Sequence, residues 1–386
     1  MIIFSVRTSS FRNLTDALVA VNAHDVFLVG ENGQGKSNFL EAVYFCAYAS
    51  SFRGIHDSEI ATNGTKDFSA ALIMSKTGSA ESPDDEVLVK FERGKKSVII
   101  NRKKIESRTE LLSVIPCIVF CHEDMEFVTG SPERQRWFFD QVLSLYDPVY
   151  LDDLRCYRRV LKSRNTVLRD HVQQKLSGSP EALLDALDRQ FILYGIRLME
   201  KRETAARLFS SVFEELYCEV SGIRGVCVHY LPSWKCSHDD EAFDLLLKRR
   251  AREMAAGITL SGPHRDRYIF ARHAAKSLPG EDFAANDFAA GNFAASASTG
   301  QRRLLALLLR AAQARRFTDM TGRHPILLLD DVLLEMDSEK RRRFIAALPA
   351  YDQAFYTFLP DEPFSNYRKA DTLVYYVHNG HMEASV

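Results

Sequence analysis

The chain has 386 residues, which points to two or three domains rather than one core. Hydrophobic residues make up 46% and charged residues 26%, a globular balance that excludes a largely disordered chain. A formal net charge of −1 excludes a global basic field, so any nucleic-acid contact must come from local patches.

The first segment, Met1 to Arg7, lacks the apolar stretch of a signal peptide, and its residues Ile2 to Arg7 predict a strand. Ala17 to Val21 and Asp25 to Val29 are further apolar pieces. Gly30 breaks the pattern, and a helix is expected from Lys36, with Phe39, Leu40, Val43 and Tyr44 at helical spacing. Strands are predicted over Ser69 to Met74, Glu86 to Glu92 and Ser97 to Asn101, with a hairpin at Gly94-Lys95-Lys96. Ile115 to Cys121 is a buried strand that gives Cys117 and Cys121 a packing role. Helical periodicity then predicts helices over Glu133 to Leu145, Pro148 to His171, Glu181 to Tyr217 and Asp239 to Ala256, with a short strand at Val226 to Tyr230.

Strand and helix alternation returns in the last third: Arg267 to Phe270, helix Gln301 to Phe317, strand Ile326 to Leu329, helix Ser338 to Leu348, and strands Ala354 to Phe358 and Thr372 to Val377. A five-residue near-repeat at 281–295, built from Phe-Ala-Ala, fits neither period and is expected to be an inserted flexible loop. The expected fold class is α/β: a head formed by 1–130 and 257–386, with a mixed sheet and an antiparallel β part, and a helical arm at 131–256. The 7 cysteines form an odd, scattered set that argues for a reducing compartment. Cys227, His229, Cys236 and His238 are zinc-type donors, but one-residue gaps do not match the usual spacing. No apolar run reaches the roughly 18 residues of a membrane helix, so a soluble cytoplasmic protein is expected, with no membrane partner.

Three motifs carry chemistry. Gly30-Glu31-Asn32-Gly33-Gln34-Gly35-Lys36-Ser37 fits G-x-x-x-x-G-K-[ST] between a strand and a helix. Its backbone N–H groups and the helix N-terminus suit phosphates, Lys36 adds a charge, and Ser37 offers an oxygen to Mg²⁺. Ile326 to Leu329 ends in Asp330 and Asp331. Asp330 would hold Mg²⁺ through water, and Asp331 would orient or deprotonate the attacking water. Ser298-Thr299-Gly300-Gln301 opens a helix, where serine, glycine N–H and helix dipole favour an anion.

In this order, with a helical insert, the motifs resemble the ABC-type ATPases that include SMC and RecF proteins. Phe11-Arg12-Asn13, Ser51-Phe52-Arg53-Gly54, Gly130-Ser131-Pro132 with Arg136 and Asp140, Leu161-Lys162-Ser163-Arg164-Asn165, Gly262-Pro263-His264-Arg265-Asp266 and the double aspartate resemble the RecF family specifically. That resemblance implies an ATP-binding DNA replication and repair protein. It would form an ATP-dependent homodimer in which Ser298, Gly300 and Gln301 of one subunit face the ATP on the other's phosphate loop. Glu335-Met336-Asp337 would cross the interface. The dimer would clamp single-stranded, gapped or junction DNA, hydrolyse ATP slowly as a weak DNA-dependent ATPase, and support recombinase loading, recombinational repair and SOS induction. Its partners would be mediators similar to RecO and RecR.

Departures from the ABC pattern are also present. No Q-loop glutamine stands near His122 and Glu123, and no switch histidine follows Ala354 to Phe358, where Thr357 is the nearest substitute. The alternative, a soluble nucleotide-binding subunit of a transporter, predicts a switch histidine and a smaller insert. Arg155, Arg158, Arg159, Lys162 and Arg169 share one side of a helix, with Leu154, Tyr157, Leu161 and Leu168 on another, making a candidate DNA face. Lys95-Lys96, Arg102-Lys103-Lys104 and Lys248-Arg249-Arg250 with Arg252 are further basic clusters.

Overall fold

The computed structural model describes residues 1–75, 85–106, 110–111, 114–175, 178–236, 238–272, 292–333 and 336–385. Residues 281–291 of the near-repeat and Glu335 lie outside these. The chain divides into two compact units, Met1–Asp124 with Ala314–Val386, and Met125–Gln313.

The first unit holds two six-stranded sheets among the described residues. One is antiparallel: β1 (Ile2–Ser9), β2 (Ala17–Ala20), β4 (Phe68–Ser75), β5 (Asp85–Glu92), β6 (Lys95–Ile100) and β7 (Lys103–Ile105), in the order β2-β1-β4-β5-β6-β7. The turn between β5 and β6 falls at Arg93-Gly94, both with positive φ, one residue before the expected position. The other sheet is β3 (Asp25–Val29), β8 (Cys117–Phe120), β11 (Ile326–Leu329), β12 (Gln353–Phe358), β13 (Thr372–His378) and β14 (His381–Ala384), in the order β14-β13-β3-β12-β11-β8. All its neighbours run parallel except β14 at the edge. Every residue of β3, β8, β11 and β12 is buried, as continuous apolar runs in a covered parallel sheet should be. Helix α1 (Lys36–Tyr48) puts Phe39, Leu40, Val43 and Phe45 into the apolar core of this unit. Gln353 ties the sheets together: its amide donates to Ile3, Val21 and Ala23 carbonyls and accepts from Ile3 N–H.

The second unit contains α2 (Glu126–Thr129), α3 (Pro132–Ser144), α4 (Pro148–Val172), α5 (Pro180–Ser221), α6 (Asp239–Ala256), α7 (Phe293–Ser296) and a β-ribbon of β9 (Val226–Leu231) and β10 (Arg267–Arg272). Helix α8 (Thr299–Thr321) starts in this unit and ends in the first, where α9 (Ser338–Ala347) also lies. The units therefore divide after 313, not after 256 as the sequence division had it. The reason is local: β10 completes a ribbon with β9, and buried polar bonds knit 257–266 to the helices. Residues 293–296 are helical rather than loop, because Phe293 is buried with its ring edge-on to Tyr217. On β9, Cys227 Sγ meets His229 Nε2 at 3.2 Å, and burial pushes the thiol up to about 12, which disfavours the thiolate a metal needs. No helix among the described residues is long and apolar enough to cross a membrane.

Candidate nucleotide site

The phosphate loop leaves the end of β3 and enters α1, at the carboxyl edge of the parallel sheet where α/β proteins bind ligands. Glycine is required at two of its positions. A Cβ on Gly30 would lie 2.5 Å from the Val377 carbonyl oxygen, and Gly35 has φ 115. Lys36 is buried and donates to the carbonyls of Gly30 (2.6 Å) and Glu31 (3.1 Å), which leaves a third ammonium proton for a phosphate. Gln34 is clasped by Asn379 N–H and Gly380 N–H. A pocket of ≈ 280 Å³ opens here, lined by Glu31, Asn32, Gly33, Gly35, Lys36, Ser37, Asn38, Arg53 and Asp331.

Ser37 Oγ donates to Asp330 Oδ1 at 2.6 Å, joining residues 293 apart in sequence. Burial pushes the Asp330 carboxyl up to about 6; the Ser37 bond opposes this and the Asp331 charge adds to it. A hydroxyl and a carboxylate oxygen side by side are hard donors suited to Mg²⁺, so these residues fit the expected ion. Asp331 has φ 50 and turns the chain away from β11. Its N–H donates to Thr357 Oγ1 at 2.7 Å.

Arg53 and Asn38 line the pocket without having been expected there. Glu41 of α1 is fully buried and pairs with Arg12 and Arg53, while Arg53 donates to Asn38 Oδ1 at 2.9 Å. Asn13 donates to Gly33 O at 3.0 Å and accepts from Asn38. The signal was present as polar residues in Phe11-Arg12-Asn13 and Ser51-Phe52-Arg53-Gly54, but nothing in their spacing relates them to the loop.

The tetrapeptide Ser298 to Gln301 lies in the second unit and caps α8 reciprocally. Gln301 N–H donates to Ser298 Oγ (3.3 Å), and Ser298 N–H donates to Gln301 Oε1 (2.8 Å). The serine oxygen thus serves the helix, and its O–H proton remains for an external acceptor. Ser298 and Gly300 are exposed.

A family model described as RecF/RecN/SMC N terminal domain matches residues 2–382. A DNA replication and repair protein RecF of Treponema pallidum is 40% identical over 96% of this chain and 98% of its own. The chain belongs to the RecF family. RecF of Moorella thermoacetica is 31% identical over 86% of this chain and 82% of its own. A solved structure of the recombination mediator protein RecF with ATP, from the RecFOR pathway, is 25% identical and superposes with a TM-score of 0.82 over 100% of this chain and 98% of that one. An Smc head of Pyrococcus furiosus, at 15% identity and TM-score 0.53, shares the fold.

The RecF-type motifs of the second unit contribute Asp140, Arg164 and Asp266 to buried polar clusters. Arg202 donates to Asp140 (2.7 Å) and Asp266 (2.8 Å), and Arg136 to the Asp266 carbonyl (2.7 Å). Arg164 is wholly buried between Asp188 and Glu253 and also donates to Thr259. Gly262 has φ 128 and would carry a Cβ 2.9 Å from both Phe191 and Tyr157. The five candidate DNA residues Arg155, Arg158, Arg159, Lys162 and Arg169 are all exposed on α4, while Leu154, Tyr157 and Leu168 are buried. Arg158 also pairs with Asp140 at 3.2 Å. His122 and Glu123 are exposed in a 3-10 turn, and Asp124 beside them accepts from Cys121 N–H.

Proposed function

We propose that this protein is an ATP-binding DNA replication and repair protein that dimerises on ATP and clamps DNA. The observation that carries the reading is the pocket lined by Lys36, Ser37 and Asp331, with Asp330 bonded to Ser37, together with an exposed signature in the other unit. The loop from Gly30 to Ser37 binds the phosphates, and Lys36 turns its free proton to them. Ser37 and Asp330 would hold Mg²⁺, which would supply positive charge to offset that of the phosphates. Asp331 orients the attacking water. Ser298, Gly300 and Gln301 reach the ATP of the partner subunit, so each site is shared and hydrolysis opens the dimer.

The cationic face of α4 contacts the DNA backbone, which predicts steep salt dependence and little base preference. The homology to RecF of the RecFOR pathway supports mediators similar to RecO and RecR as partners, with roles in recombinase loading, recombinational repair and SOS induction. The test is sedimentation and binding to gapped duplex, with and without ATP, for wild type, Lys36→Met and Ser298→Arg. Wild type dimerises and binds gapped DNA on ATP, and neither variant does. Dimerisation by both variants, or no DNA binding by wild type at low salt, refutes the reading.

A further inference from the structure

Strand β12 lies between β3, which leads into the phosphate loop, and β11, which ends in Asp330 and Asp331. Its penultimate residue, Thr357, is a buried hydroxyl in the run Ala354-Phe355-Tyr356-Thr357-Phe358. It pairs in register with Leu28 of β3, one strand from the loop. Past the end of the β11 ladder, Asp331 enters the left-handed region, where its N–H needs a new acceptor; Thr357 Oγ1 supplies it at 2.7 Å. The same oxygen lies 2.9 Å from Asp331 Oδ1 and 3.3 Å from Asp330 Oδ1.

A hydroxyl has one proton to donate. Asp330 Oδ1 already receives the Ser37 proton at 2.6 Å, and Asp331 Oδ1 is the nearer acceptor. We infer that Thr357 is a positioning residue for ATP hydrolysis, holding Asp331 through both its backbone and its carboxylate. With its N–H and Oδ1 both tied to one hydroxyl, Asp331 is held in a fixed orientation at the edge of the pocket it lines. In the step so prepared, the water oxygen bonds to the γ-phosphorus and the bond to the β–γ bridging oxygen breaks. ADP leaves with that electron pair, and the water proton passes to Asp331. Thr357 thereby occupies the strand end where a switch histidine is missing, and serves the double aspartate from within the same subunit.

The inference rests on the ATPase reading above. The full-length chain is compared as wild type, Thr357→Val and Thr357→Ser, alone and in an Asp331→Ala background. Valine keeps the shape and removes the hydroxyl, so kcat should fall on the order of 100-fold while the Kd for ATP stays within about threefold. The ATP-bound dimer of the valine variant should outlive that of wild type. Serine should restore turnover, and valine should have no further effect once Asp331 is alanine. Wild-type kcat in the valine variant, or equal loss in the serine variant, overturns the inference. If wild type itself binds no ATP or turns none over, the ATPase reading fails, and this inference with it.

Discussion

Gly300 is a glycine that the isolated subunit does not demand. It lies in the first turn of α8, and a Cβ there would meet nothing within 4 Å. The proposed shared site assigns the close approach that calls for glycine to the partner subunit. Gly300→Ala is predicted to raise the thermal stability of the monomer by roughly 0.5–1 kcal/mol, since glycine costs that much in a helix. The same variant should lose ATP-driven dimerisation in sedimentation; a variant that dimerises normally counts against a shared site. His264 gives a pH prediction. Its Nε2–H donates to Thr259 O and its Nδ1 accepts from Tyr157 OH, a neutral tautomer that burial favours by lowering its pKa to about 4, with nearby Arg265, Arg136 and Arg164 helping. An unfolded histidine titrates near 6.5, so between about 6.5 and 4 the unfolded chain binds the extra proton and stability falls as pH falls. Urea midpoints at pH 7 and pH 5 should drop less for His264→Gln than for wild type, and equal drops would refute the assignment.

Helix α4 carries two unlike faces that were readable in advance and a buried arginine that was not. The apolar stripe and the exposed cations followed from 3.6-residue periodicity. The burial of Arg164 did not, because its partners Asp188 and Glu253 are 24 and 89 residues away. Arg164→Leu leaves Glu253 buried without its ion pair, while Asp188 keeps Arg250, and is predicted to cost about 3–5 kcal/mol in urea unfolding; a loss under about 1 kcal/mol would mean the cluster is not intact in solution. The strongly apolar strands β3, β11 and β12 were legible for the same kind of reason, while β7 (Lys103-Lys104-Ile105) and β14 (His381-Met382-Glu383-Ala384) were not, being short and polar. At the start of α8 the pattern S-x-x-Q was visible, yet its serine was assigned to an anion. The structure shows that it first serves as a helix cap. The phosphate loop and the double aspartate were legible because each is a contiguous motif. Arg53 and Asn13 were not, because only the fold brings them to the loop.

At the scale of the whole molecule, the first unit contributes the loop and the acidic pair, and the second contributes the signature and the cationic helix. The central claim is that a complete catalytic centre takes its loop from one subunit and its signature from another. Mixing two inactive variants tests it directly. Lys36→Met lacks a working loop but keeps its signature, and Ser298→Arg is the reverse, so a mixed dimer contains one intact shared centre. Steady-state ATP hydrolysis is measured for each variant alone and for an equimolar mixture. The account predicts that neither variant turns over ATP alone and that the mixture does. Turnover in the mixture no greater than the sum of the two separate rates would contradict it.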